Sequence, residues 1–169
     1  NMPSSHPHQF RFTAEGTLNI PGNSWFAHGG GTTIFDGGEH SCGPVTNVNH
    51  TIVFTNGAKF VTGRIYLGRE SSFCTGNLYA YDSNIPCLDG NVRLGSNEKA
   101  RGNWYMKGGK LFMRGERVEG LPVYFLVGDM ATGAFYQESG DVDLYKTEFY
   151  VGYNSGYTGF YRIDGGTFS

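Results

Sequence analysis

The side chains able to do chemistry in this sequence are amides, phenols, a thiol and a few carboxylates near arginines. Asn56 can hold a water or a substrate oxygen; beside Gly57 it is equally a turn residue suited to positive φ. Phe54 lies two positions earlier and faces the same way on a strand, as lining or as ordinary core. Tyr66 and Tyr105 carry apolar bodies with hydroxyls that can orient a ligand, although 11 tyrosines make a structural role common. Trp104 precedes Tyr105, so the two face opposite sides of a strand. Glu70, Arg69 and Asp129 fall near strand ends. A carboxylate opposite an arginine can protonate a reacting group or stabilise charge; on a rim the same residues form surface ion pairs.

Cys74 is a thiol able to line a cavity, or half of a disulfide. With Cys42 and Cys87 it leaves one odd thiol if a bridge forms, and the pairing stays open. The spacing of the three matches no zinc pattern. All five histidines (His6, His8, His28, His40 and His50) lie in the first third, without an acidic partner cluster, so no metal site is expected. No Gly-x-Ser-x-Gly elbow is present. The glycines of 29–31 and 37–38 lack the Lys-Ser/Thr that a phosphate loop requires.

The elements that must position these groups are strands. Glycine makes up 27 of 169 residues and aromatics 15%, a mixture poor for helices and suited to short strands and tight turns. Thr51–Thr55 and Phe60–Leu67 read as strands joined by Asn56-Gly57, a strong hairpin signal. Lys107-Gly108-Gly109 and Asn154-Ser155-Gly156 read as further hairpins, and Pro122–Val127 as an apolar strand containing Phe125. Residues 21–44 read as glycine-rich loop around a short strand at 32–35. Residues 1–8 read as a loose arm before a single domain spanning 9–169. The whole is all-β, with closure into a barrel expected to remove exposed edges.

A net charge of −2 and the lack of a basic run argue against nucleic acid or an anionic membrane as partner. No apolar run is long enough to span a bilayer. Asn49-His50-Thr51 is an N-glycosylation sequon, and the chain begins at Asn1; a secreted protein is expected, with a cytoplasmic one as the alternative.

The order of several motifs resembles the allene oxide cyclase and dirigent barrels over roughly residues 50–165. Phe54-Thr55-Asn56, Gly68-Arg69 and Cys74 match one end of that pattern. Trp104-Tyr105, Leu111–Gly115, Gly133-Ala134-Phe135, Gly140, Val142 and Leu144 match the other. This resemblance implies a calycin-type, eight-stranded antiparallel barrel, assembled as a dimer or trimer, that binds a small apolar substrate in its lumen. It implies a stereoselective cyclase, isomerase or dirigent-type protein that steers cyclisation or coupling by shape, without organic cofactor. It implies a substrate- or water-holding role for Asn56; in such a barrel the expected catalytic residues are Asn56, Tyr105 and Glu70, and the expected substrate-binding residues are Phe54, Tyr66, Cys74, Trp104 and Phe125. Arg117 stands where that family has a tyrosine, and the first 45 residues match poorly. A secreted non-enzymatic binding protein, either a lectin or a carrier of an apolar ligand, is the alternative. A secreted effector that meets another protein is the third reading.

Overall fold

The computed structural model describes residues 8–20, 24–69, 73–88, 90–115 and 121–169. Among them there is no helix. The chain winds in successive coils, each lying on the one before. The first coil holds β1 (Gln9–Thr13), β2 (Asn19–Ile20) and β3 (Trp25–His28). The second holds β4 (Thr32–Asp36) and β5 (Glu39–Val48), and the third β6 (Thr51–Thr55) and β7 (Lys59–Leu67). The fourth holds β8 (Thr75–Cys87) and β9 (Val92–Leu94), the fifth β10 (Arg101–Arg114) and β11 (Val123–Val127). The sixth holds β12 (Thr132–Tyr145) and β13 (Thr147–Val151). Strands β14 (Gly159–Ile163) and β15 (Thr167–Phe168) end the stack.

Every strand pairs in parallel with its counterpart one coil away. Asn77 of β8 stands over Thr51 of β6 and under Asn103 of β10; Asn103 in turn pairs with Ala134, and Ala134 with Phe160. Three faces result. The first is β1-β4-β6, the opening halves of β8, β10 and β12, then β14. The second includes the opening of β7 against the end of β8 and continues through β10 and β12 to β15. The third runs from β3 through the ends of β5 and β7 to β9, β11 and β13.

This corrects the expected antiparallel barrel. The sheet is parallel and is not closed; it is an open coil. The expected hairpins are corners of that coil. Asn56 and Gly57 do adopt positive φ, 54° and 73°, as a type I′ turn requires. Yet β6 pairs with β4 and β8, while β7 pairs with β5, β8 and β9, not with β6. Gly108 and Gly109 bend β10 at a register shift rather than joining two antiparallel strands. Strands β13 and β14 likewise pair with different neighbours. The expected loop at 21–44 contains β3, β4 and the start of β5. Residues 1–7 of the expected arm at 1–8, and with them His6, lie outside the described residues.

Stacked side chains fill the axis. Parallel in-register pairing places one residue above the next at about 4.8 Å, so inward positions form columns. One column runs Ile52, Leu78, Trp104, Phe135 and Tyr161. Another begins Phe12, Phe35 and Phe54, whose neighbouring rings stack with centroids 5.1 Å apart. Phe125 packs edge-on against Phe135 at 5.2 Å. Phe35, Phe54, Phe60, Trp104, Phe125 and Phe135 are at most 1% exposed. The gain in buried apolar surface is what holds a coil with so few hydrogen-bonded local elements together.

The cysteines correct another expectation, because all three side chains are thiols. Cys42 and Cys87 occupy one inward column, with Thr62 between them. Two strand spacings separate them by about 10 Å, beyond the 7 Å or so that a disulfide spans. Cys74 packs in a separate small cluster with Val48, Ala100 and Ala131.

Candidate functional site

With the interior filled, the chemistry faces outward. The middle outward column of the first face reads Val53, Tyr79, Tyr105, Tyr136 and Arg162. Its three tyrosine rings stack like plates, with centroids 4.7 Å apart at 8° between Tyr79 and Tyr105, and 4.9 Å apart at 3° between Tyr105 and Tyr136. Tyr81 lies parallel to Tyr79 at 6.3 Å, and Phe160 leans on Tyr136 at 5.3 Å. The stacked faces cover one another, so the column presents its edges and hydroxyls. Partial burial raises the Tyr105 phenol above its ordinary pKa, and the flanking Tyr79 and Tyr136 add to this. The hydroxyl therefore remains a donor well above neutral pH.

Amides border the tyrosines on one side. Asn103 Nδ2 donates to Asn77 Oδ1 at 2.9 Å. Paired charges border them on the other. Lys107 Nζ lies 2.6 Å from Glu138 Oε2, and Arg162 Nε lies 2.8 Å from Asp164 Oδ1. Each carboxylate holds its cation above its usual pKa. Tyr105, Tyr136, Met106 and these four charged residues surround a recess of about 210 Å³. The recess is polar at its rim but carries no net charge.

The sequence-predicted residues are not gathered around one cavity. Phe54, Trp104 and Phe125 are core side chains, and Trp104 and Tyr105 do face opposite sides. The Trp104 indole N–H is buried without a hydrogen-bond partner. Asn56 sits at an exposed corner and donates to Asp36 Oδ1, which makes it a turn residue with a cap-like bond. Tyr66 is buried beneath the Arg69 guanidinium, 4.2 Å from the ring centroid. Cys74 is buried, with its Sγ 3.9 Å from the Arg69 carbonyl oxygen. Glu70 lies outside the described residues. Asp129 meets Arg93, not Arg69: Arg93 donates to Oδ2 at 3.1 Å and Asn154 to Oδ1 at 3.3 Å. That carboxylate is engaged in holding a corner. Among the described residues no cluster of His, Cys, Asp and Glu could hold a metal ion.

Sequence reasoning singled out Tyr105 but missed its column. A repeat carried the signal: Gly76-Asn-Leu-Tyr79, Gly102-Asn-Trp-Tyr105, Gly133-Ala-Phe-Tyr136 and Gly159-Phe-Tyr-Arg162. Each is preceded by a second glycine at a coil corner, Gly68, Gly95, Gly128 and Gly152, all at positive φ. Part of the pattern that resembles the cyclase barrels, Gly68 and Gly133-Ala134-Phe135, belongs to this repeat. No family model, no curated protein and no solved structure matches the chain.

Proposed function

We propose that this chain is a non-enzymatic binding module of lectin type, which takes a neutral, hydroxyl-rich chain such as a glycan along the tyrosine column of its first face. The observation that carries this reading is the outward stack of Tyr79, Tyr105 and Tyr136, with amides on one flank and self-neutralised ion pairs on the other. An extended ligand running along the coil axis meets a phenol or amide at every strand spacing. The rings hold each other in place, so little side-chain entropy is lost when they bind. The two cations and two carboxylates that line this recess balance, which favours a neutral ligand over a phosphate backbone, whose binding needs a surplus of cations.

A cyclase that encloses its substrate needs an open interior, and aromatic side chains occupy this axis. This weighs for the outer surface and for the binding reading over the catalytic one. A secreted location accords with it. Asn49, at an exposed corner with φ 59°, would carry a glycan pointing outward.

The test is a glycan array probed with the intact chain and with Tyr105→Ala. Retention of neutral glycans by the first and its loss in the second is the expected result. Equal retention by both, or none by either, overturns the reading.

A further inference from the structure

The second face holds a recess that the tyrosine surface does not use. Along β7, β8 and β10 one outward column reads Lys59, Asn84 and Lys110, and the next reads Val61, Pro86 and Phe112. Asn84 is shorter than the lysines on either side and Pro86 is flat, so the fourth coil dips between the third and fifth. The notch measures about 460 Å³ and is lined by Lys59, Asn84, Pro86, Lys110 and Phe112, with Ile85 beneath. Two strand spacings set the lysine backbones about 10 Å apart across it.

The lining of the notch holds two lysines and no carboxylate. Glu39 pairs with Lys59 at 3.2 Å from the coil below, and Asp143 with Lys110 at 3.3 Å from the coil above. These two carboxylates, and Asp141 in register with Lys110, stand in the coils beyond the lysines, on the far side from Asn84; Asp141 accepts from the Thr167 hydroxyl. These pairs are solvent-exposed and hold their partners weakly, so either ammonium can turn inward. The floor combines an amide with the apolar surface of Pro86 and Phe112, and Lys110 already lies 5.9 Å from the Phe112 ring centroid.

We propose that this notch is a second binding site, separate from the tyrosine face, for an organic carboxylate with a flat apolar body. The ring lies on Pro86 and Phe112, the carboxylate sits between Lys59 and Lys110, and Asn84 donates to it. Charge complementarity selects the anion, and the apolar floor selects its body.

The probe is 2-naphthoate, titrated into the intact labelled protein and followed by amide chemical shifts, with neutral 2-naphthalenemethanol as the comparison. Saturable shifts confined to 59–61, 84–86 and 110–112 are expected. Naphthoate should bind more tightly than the alcohol, and the difference should shrink with added salt. Lys59→Gln and Lys110→Gln should each weaken naphthoate binding about two- to fivefold and leave the alcohol unchanged. Their melting curves should match that of the parent chain, which separates lost binding from lost fold. Equal affinity for the two probes, shifts that map elsewhere, or no saturable shift at all would overturn the proposal.

Discussion

A Cβ placed on Gly102 would lie 2.3 Å from the backbone nitrogen of Gly95 and 2.5 Å from the carbonyl oxygen of Leu67. Gly95, at φ 69°, makes the corner that ends the third face, and Gly102 opens the first face of the next coil. The backbone can approach itself there only if position 102 has no side chain; a Cβ on Gly95 would meet the next coil instead, 2.4 Å from the Thr132 carbonyl oxygen. The same contact recurs between Gly68 and Gly76, Gly128 and Gly133, and Gly152 and Gly159, at 2.6, 2.2 and 2.4 Å. These pairs let the backbone pass close to itself at each turn from the third face to the first.

Gly102→Ala should therefore destabilise by about 3 kcal/mol, at the upper end for overpacking, because backbone and not a side chain must move. For a chain of this size that is roughly 6–12 °C in Tm. Gly30→Ala, where nothing lies within 4 Å and φ is not positive, should stay within about 0.5 kcal/mol. Thermal melts of the two variants make the comparison; equal shifts would refute the crossing role.

Trp104 is fully buried, and its indole N–H lacks a partner. Removing that donor while keeping an aromatic body offsets part of the lost volume, so Trp104→Phe should cost less than about 1.5 kcal/mol. Trp104→Ala leaves a cavity among Leu78, Phe125 and Phe135 and should cost about 3–5 kcal/mol. Denaturant titration of both variants measures the gap.

His50 is buried, with Nε2 3.0 Å from Thr33 Oγ1. Burial lowers its pKa below the ordinary 6.5, partly opposed by the Gly29 carbonyl. The folded state thus binds the proton less readily than the unfolded chain. The stability tied to this group is complete above about pH 6.5 and falls as acid is added. His50→Gln should flatten the pH dependence of Tm between pH 7 and 5, and an unchanged slope would remove His50 as its source.

The Cys42 thiol is pushed up to about 11 by burial, so almost none of it is thiolate at neutral pH. A thiol reagent should leave Cys42 unlabelled in the native chain and modify it after unfolding. Fast labelling of native Cys42 would contradict its place in the core.

On the tyrosine column, Tyr105→Ala should weaken binding of any glycan retained on the array by about tenfold or more, because it breaks the stack in the middle. Tyr105→Phe keeps the stack and removes one hydroxyl, and should weaken it by about two- to tenfold. Isothermal titration of both variants distinguishes a lost plate from a lost hydrogen bond.

The sequence alone determined the local features. Strand composition, positive φ at Asn56 and Gly57, and the opposite facing of Trp104 and Tyr105 follow from side-chain sterics and the two-residue period of a strand. Only the tertiary structure decided which strands meet. A turn sets two dihedral pairs; it does not say whether its flanks fold back on each other or lie against the coils before and after. That choice rested on columns such as Ile52-Leu78-Trp104-Phe135, in which large side chains gain more by stacking in parallel across 26 to 31 residues than by pairing locally. It filled the space where a lumen was expected. It also moved Tyr105 from a cavity wall to an outer face and held Cys42 and Cys87 two strands apart.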